Sequence, residues 1–434
     1  MTGTSLTGRF FAGALLATLA GCGAEPAQAP ENLLLITIDT LRADRLGVYG
    51  GSGGLTPAID AWAEDSVVFE EAHATSSWTL ASLASLMTST VTGEHGCWNF
   101  ESALPDRATT LAELLRGEGF HTSGIPSHLF LAPNYGLHQG FVEYDTELVR
   151  GLQRSHEAIS SRRVTTKGAA QLQALAKLEA PWFLWLHYFD PHEVYHAHPG
   201  FTSATPDSDE ERRYDSEVAF TDAAIGRVLA ELERLGLADK TVVALTADHG
   251  EEWWDHGSLR HGHSLHRELV HVPLIVRLPG QQARRIKTPV SLIDLAPSLC
   301  TWLDVPGYAG FRGEDLTPLL AGDAPTLEER PLLEELRLRK NSPFDALRRG
   351  RWHLIVDRSD DSVLLFDLRT DPTEQRNLAD ENPELVQELL QELDLQRAHA
   401  ATLGGNPDAA ELAEGDLQRL IDLGYADESD RDDR

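Results

Sequence analysis

The run Thr241-Val242-Val243-Ala244-Leu245-Thr246-Ala247 stops abruptly at Asp248-His249-Gly250. Unbroken apolar and β-branched residues, with no alternation, describe a strand buried on both faces, the kind found inside a parallel sheet covered by helices. A second run, Asn32-Leu33-Leu34-Leu35-Ile36-Thr37-Ile38, has the same form and ends on Asp39-Thr40. Open parallel sheets gather their chemistry at the carboxyl ends of the strands. If the two strands are neighbours, Asp39, Asp248 and His249 meet at one edge, and their mixed oxygen and nitrogen donors suit a divalent cation. Taken singly, either run also reads as a core strand capped by a turn-forming aspartate.

The segments between repeat the same grammar. Thr56-Pro57 supplies an N-cap and a first-turn proline for a helix over Ala58 to Ala63, followed by a short strand at Val67 to Phe69. Thr109 to Gly117 predicts a capped helix ending in glycine, with a strand near Thr122 to Ile125 and a helix over Ala169 to Leu178. Trp182 to Phe189 is another two-sided strand, and it runs into Asp190-Pro191-His192, a third polar cluster at a strand end. Glu193 to Arg213 reads as a polar, irregular excursion near the mouth of the site. Tyr214 to Leu235, with Val218, Ile225, Leu229 and Leu232 on one face, is the clearest helix, and Ile293 to Leu303 is another. Such alternation predicts an α/β fold with a largely parallel central sheet and helices on both faces. Around Asn341 the pattern changes. Asp345 to Gly350, Trp352 to Val356 and Val363 to Leu368, then the turn Thr370-Asp371-Pro372 and a helix from Pro383 to Leu393, predict a small C-terminal α+β subdomain with an antiparallel sheet.

The stretch Ala74 to Thr88 is rich in hydroxyls at its start and apolar at helical spacing from Leu80 onward. A helix beginning there turns its free N–H groups and positive dipole end towards Thr79, which favours an anion or a nucleophilic oxygen at that place. The simpler alternative is that Thr79 is only the N-cap.

Composition excludes some classes of function. A formal charge of −31 repels nucleic-acid phosphates, and no basic patch offsets it, so nucleic acid is not an expected partner. The three cysteines make no disulfide framework. Cys22 closes Leu19-Ala20-Gly21-Cys22 after the apolar run Phe10 to Ala20, which is too short to span a membrane but suits a signal-peptide core. The four residues resemble the lipobox of bacterial lipoproteins. That implies cleavage before Cys22, lipidation of its thiol, and an exported protein held to a bacterial membrane, periplasmic or at the cell surface, through the lipid alone. An ordinary secretory signal cut nearby is the alternative. Whether Cys97 and Cys300 pair is open, as is the oligomeric state. The 434 residues divide into a signal peptide (1–21), a tether (22–31), a catalytic α/β domain (32–325), the antiparallel-sheet subdomain (326–403) and an acidic tail (404–434).

Several motifs occur in one order: Asn32-Leu-Leu-Leu-Ile-Thr-Ile-Asp-Thr-Leu-Arg-Ala-Asp44, Ser77-Trp-Thr-Leu-Ala-Ser-Leu-Ala-Ser-Leu-Met-Thr88, Asp190-Pro-His192, Thr246-Ala-Asp-His-Gly-Glu251, His261-Gly-His-Ser-Leu265 and Leu365-Phe-Asp-Leu-Arg-Thr-Asp-Pro-Thr-Glu-Gln-Arg-Asn-Leu378. Together they resemble the sulfatase family of the alkaline phosphatase superfamily, from Asn32 to about Tyr425. The resemblance implies an alkaline-phosphatase-like three-layer αβα sandwich and one divalent metal ion (Ca, Mn or Zn). The family's metal-binding places fall on Asp39, Asp248 and His249, with Thr40 where many members have a second aspartate. Its nucleophile falls on Thr79. The catalytic and substrate-contacting histidines fall on His192 and His261, with His263 a further candidate in the same loop.

The departures limit what carries over. The family's formylglycine is made from Cys or Ser, so Thr79 cannot supply it. Ala81, Leu83 and Ser89 replace the motif's proline, basic residue and terminal glycine. Threonine is the nucleophile in related phosphodiesterases and phosphoethanolamine transferases of the superfamily. The expected function is thus an exported, metal-dependent hydrolase of sulfate or phosphate esters, small-molecule, glycan or lipid, with phosphoester or phosphodiester cleavage favoured. A catalytically inactive surface-anchored binding protein and a headgroup transferase using the same threonine are the alternatives.

Overall fold

A computed structural model gives the fold. It describes residues 30–152, 159–201, 208–322, 325–338, 343–405 and 407–411, with residues 1, 418, 420 and 421. Apart from Met1, the expected signal peptide lies outside the described residues, as do Cys22 and most of the tether and acidic tail. Among the described residues no helix is long and apolar enough to cross a membrane.

The first run forms β1 (Asn32–Ile38), buried along its whole length. The helix α1 (Pro57–Ala63) follows, with Pro57 in its first turn as expected. Thr56 stands at its N-cap position, but the Thr56 side chain makes no capping bond. Its hydroxyl accepts from the Gly47 N–H (3.1 Å) and bonds Asp60 instead, while the carboxylate of Asp222, from a distant helix, accepts from the Ala58 and Ile59 N–H groups at 3.0 and 2.8 Å. A tertiary partner has thus taken the role the local sequence assigns to Thr56.

Next come β2 (Val67–His73), α2 (Thr79–Thr88), α3 (Leu111–Gly117) and β3 (His121–Ile125). The Thr110 hydroxyl and Glu113 form the capping box of α3. The helix α4 (Ser161–Leu175) begins eight residues earlier than its apolar spacing predicts, because Asp190 accepts from the Ser160 and Ser161 N–H groups and holds the start of the helix. Then follow β4 (Trp182–Tyr188) and α5 (Asp209–Arg234). The sequence places Asp209 to Arg213 in an irregular excursion, yet they form the first turn of α5. Ser208 caps it by accepting from the Glu211 N–H, and the acidic residues there complement the helix dipole.

The second run forms β5 (Thr241–Ala247), followed by β6 (His271–Arg277), β7 (Arg284–Ile286) and α6 (Leu295–Trp302). The nine-stranded sheet runs β7-β2-β6-β5-β1-β4-β3, ending with the short strand Glu143–Tyr144, while Val290–Ser291 pairs off this path with β2. Every pairing is parallel except those of β6, which is antiparallel to β2 and β5. The two apolar runs are neighbours, with Ile38 opposite Ala247, and β4 lies on the other side of β1 with Thr37 opposite His187. Alternation along β4 turns Leu186 and Tyr188 towards α4, where Gly168 leaves room for Leu186 and Thr165 bonds the Tyr188 hydroxyl. Trp185 and His187 therefore face the opposite side. Helices α1 and α4 pack against α5, and α2 packs against α3 and α6.

Four antiparallel strands in sequence order form the second sheet: β8 (Leu332–Leu336), β9 (Phe344–Arg349), β10 (Trp352–Asp357) and β11 (Ser362–Asp367). One face, carrying Ala346, Ile355 and Phe366, joins the main core. The other, carrying Leu347, Leu354 and Leu365, packs on Leu389 and Leu393 of α7 (Pro383–Leu403). Strand β8 is not evident in the sequence, because Glu334 and Glu335 interrupt its apolar pattern. Both are buried and satisfied by partners remote in sequence, Glu334 by His73 and His353 and Glu335 by the Gly93 N–H. Cys97 and Cys300 are buried, free thiols.

Candidate active site

The site lies where β1, β4 and β5 end. The ladder continues one residue past the strands: the Asp39 N–H donates to the Tyr188 carbonyl (2.9 Å) and the Asp248 N–H to that of Ile38 (3.3 Å). Thr40 then turns into the left-handed region at φ 52°, a strained place for a β-branched residue. That turn aims its N–H at Asp248 Oδ1 (3.1 Å), which also accepts from the His249 N–H (2.8 Å), and the Tyr214 hydroxyl fixes the Thr40 carbonyl at 2.8 Å. One oxygen of Asp248 is thereby fully engaged.

The other oxygens are not. Asp39 Oδ1, Thr40 Oγ1 and Asp248 Oδ2 are buried with no hydrogen-bond partner among the described residues. Asp39, Asp248 and His249 each offer a ligand atom, all within 4.8 Å of one another. Burial, together with the charges of Asp248 and Glu251, holds the Asp39 carboxyl well above the usual carboxylate range, and burial raises Asp248 too. Two dry carboxylates side by side are costly unless a positive charge joins them. Their orphaned oxygens, the Thr40 hydroxyl and an imidazole nitrogen make a donor set that fits a divalent cation.

Thr79 joins this cluster from a different element. Trp78 occupies the N-cap of α2 and Thr79 is the first helical residue, so the capping alternative does not describe its side chain. Its fully buried hydroxyl lies 3.2 Å from His249 Nε2. Two serines set this placement: the Ser77 hydroxyl donates to the Ser264 carbonyl and that of Ser82, one turn into α2, to the Asp248 carbonyl, each at 2.6 Å. No side chain caps α2, so its dipole and first-turn N–H groups remain available at the site.

Five histidines surround the acids, and the partner of one ring nitrogen fixes what the other presents. His249 donates Nδ1–H to the Gly250 carbonyl (2.9 Å), His192 to the Glu193 carbonyl (2.8 Å) and His261 to the Glu251 carboxylate (2.9 Å). In the neutral ring each keeps a lone pair at Nε2. His128 is the reverse: its Nδ1 accepts from the Phe130 N–H (3.0 Å), so Nε2 carries the proton, 3.7 Å from Asp39 Oδ2. His187 Nε2 lies 3.3 Å from the same oxygen. Ring centroids of His249 and His261 are 4.5 Å apart, and those of His192 and His261 5.0 Å. Burial lowers His187 and His192 to about 3, and with neighbouring imidazoles it pushes His128 and His261 well down.

The structure thus brings together Asp39, Thr40, Thr79, His192, Asp248, His249 and His261. His263 instead bonds Glu252 (2.7 Å), and its loop neighbours His256 and His266 bond Glu268 and Glu374. Asp190, at the expected third cluster, holds the start of α4. Sequence reasoning passes over His128, His187 and Glu251. The alternations Thr37-x-Asp39 and Trp185-x-His187 are the available signal for His187. For Glu251, whose other oxygen accepts from the Tyr195 hydroxyl (2.7 Å), only its place two residues after His249 points to the site.

Residues 31–305 match the sulfatase family, and residues 252–399 match the C-terminal region of N-sulphoglucosamine sulphohydrolase. The chain belongs to the sulfatase family. Arylsulfatase K of Mus musculus is 35% identical over 193 residues, 42% of this chain and 34% of the relative, so this sulfatase-family chain matches about a third of that protein's length. Among solved structures, Ps i-CgsB in complex with k-i-k-neocarrahexaose superposes with a TM-score of 0.73 at 17% identity, covering 92% of this chain and 99% of the other. Phosphonate monoester hydrolase of Agrobacterium radiobacter superposes at 0.68 and 21% identity, covering 86% and 96%. At these identities the likeness is one of fold, and the alkaline-phosphatase-like architecture agrees with it. Every residue of the cluster lies within the segment matching the sulfatase family.

Proposed function

We propose that this sulfatase-family hydrolase uses Thr79 as an oxygen nucleophile and cleaves phosphate esters or diesters in preference to sulfate esters. The observation that carries the reading is the Thr79 hydroxyl, buried at the start of α2 and 3.2 Å from an imidazole whose other nitrogen is already committed. A divalent ion held by Asp39, Thr40, Asp248 and His249 would supply a Lewis acid that favours the Thr79 alkoxide and neutralises ester charge. The N-terminus of α2 adds fixed dipoles for the same anion.

The chain's own groups then divide the work. Thr79 Oγ1 gives its proton to His261 Nε2 and bonds to phosphorus as the bond from phosphorus to the ester oxygen breaks. His261, anchored through Nδ1 to Glu251, passes that proton from Nε2 to the departing oxygen, and His192 stands beside it. Water then breaks the Thr79–phosphorus bond, Oγ1 regains a proton and phosphate departs. Threonine cannot form the hydrated aldehyde by which a formylglycine expels sulfate. Its covalent ester must be cleared by attack at the central atom, and this supports phosphorus over sulfur. The shared fold with a phosphonate monoester hydrolase is compatible with that choice.

Purified protein assayed on bis-p-nitrophenyl phosphate, p-nitrophenyl phosphate and p-nitrophenyl sulfate, beside Thr79→Ala, tests the reading. Hydrolysis of a phosphate substrate with a loss of roughly a thousandfold or more in Thr79→Ala is expected. Full activity in that variant would remove the nucleophile, and a preference for the sulfate would reverse the choice of substrate.

We also infer export as a lipid-anchored protein, supported by Leu19-Ala20-Gly21-Cys22 after a short apolar run. Cys22→Ser should release the protein from the membrane fraction, and its retention there would contradict the anchor.

A further inference from the structure

We infer that His187 is a positioning residue for Asp39, held in one tautomer by Thr37 and Trp185, and that it decides which Asp39 oxygen faces the cation. The inference rests on the metal centre proposed above and goes one layer behind it. The Trp185 indole can only donate, and it does so to Thr37 Oγ1 at 2.9 Å. The hydroxyl's single proton then has one acceptor among the described residues, His187 Nδ1, at 2.8 Å, and donating to it leaves no polar atom of Thr37 unused. With Nδ1 accepting, the proton of the neutral ring sits on Nε2, 3.3 Å from Asp39 Oδ2. All four residues are buried.

Sheet register builds this relay. Thr37 lies directly opposite His187 in the parallel pairing of β1 with β4, and the period of two puts Asp39 beyond Thr37 and Trp185 before His187 on the same face. The Ser127 hydroxyl, donating to the His187 carbonyl, pins that end of β4. One Asp39 oxygen is thus tied to His187, while Oδ1, with no hydrogen-bond partner among the described residues, is left for a ligand. Donors behind a ligating carboxylate raise affinity by fixing its orientation, commonly ten- to a hundredfold.

The test uses the full chain stripped of metal and titrated with Mn²⁺ by calorimetry, with thermal unfolding recorded in EDTA. Asp39→Asn should abolish binding. His187→Leu should weaken Mn²⁺ binding by about ten- to a hundredfold. His187→Gln, whose amide nitrogen falls near the position of Nε2, should restore part of it, and Thr37→Val, which touches no ligand, should weaken binding less than His187→Leu. If His187→Leu does not fold, His187→Gln and Thr37→Val decide: unchanged Mn²⁺ affinity in both overturns the relay. Wild-type affinity in His187→Leu overturns it equally, even if that variant melts earlier, because a merely structural role moves stability alone. Mn²⁺ binding by Asp39→Asn as tight as wild type, or none by wild type, would instead overturn the metal centre and the relay with it.

Discussion

Thr79 Oγ1 and His249 Nε2 lie 3.2 Å apart although 170 positions separate them in the chain. The first belongs to a helix start and the second to a strand end, and the Ser82 hydroxyl on the Asp248 carbonyl couples the two elements.

Thr79→Ser keeps the oxygen and removes one buried methyl group. We expect a stability loss of about 1 kcal/mol and phosphoesterase activity within roughly tenfold of wild type. Urea unfolding and initial rates measure both. A serine variant as inactive as Thr79→Ala would show that the methyl group, not the hydroxyl, is what the site requires.

Ser82→Ala strands a buried carbonyl and frees α2 to shift. A stability loss of about 1–3 kcal/mol is expected, with a fall in kcat that persists at temperatures where the variant is fully folded. Wild-type kcat in the folded variant would confine Ser82 to a structural part.

Metal removal should destabilise the protein, because it leaves Asp39 and Asp248 buried together. Saturating the site at a hundred times its Kd is worth about 2.7 kcal/mol, so melting in EDTA should come earlier and Mn²⁺ should restore it. Asp248→Asn removes one of the two charges. In EDTA it should melt at or above the wild type, and Mn²⁺ should no longer shift it. An EDTA-insensitive wild type would contradict the centre.

Outside the catalytic cluster, pH acts on the contact between β2 and the C-terminal sheet. Fully buried His353 bridges Glu334 (3.2 Å) and Glu374. Burial works against its charge, but the two carboxylates outweigh it and raise its pKa to about 9, while Glu374 is held well below the carboxylate range and Glu334 below it. A raised imidazole stabilises fully below its unfolded value of about 6.5, and that contribution disappears as pH rises towards 9. The glutamates act in the opposite sense, stabilising above their usual range near 4.5 and losing that as pH falls. Over the alkaline limb the change is on the order of 3 kcal/mol. Wild type should therefore melt higher than His353→Gln at pH 6, with the gap closing by pH 9. A gap independent of pH would mean that His353 is neutral in the folded protein.

The sequence by itself determined the parallel sheet and the edge at which its polar residues collect. Runs such as Leu33 to Ile38 and Val242 to Ala247 cannot be solvated on either face, so their burial and the placing of Asp39 and Asp248 at their carboxyl ends follow from the hydrophobic effect and the period of the strand. What only the tertiary structure decided was which polar side chains became partners. Thr56 lost its cap to Asp222, β8 holds two glutamates because His73, His353 and Gly93 meet them, and only His261 of its loop's histidines turned to Glu251 and the site. Hydrogen bonds between residues a hundred positions apart leave no periodic trace in a chain. Their geometry exists only once the sheet has fixed the register, as it does for Thr37 and His187.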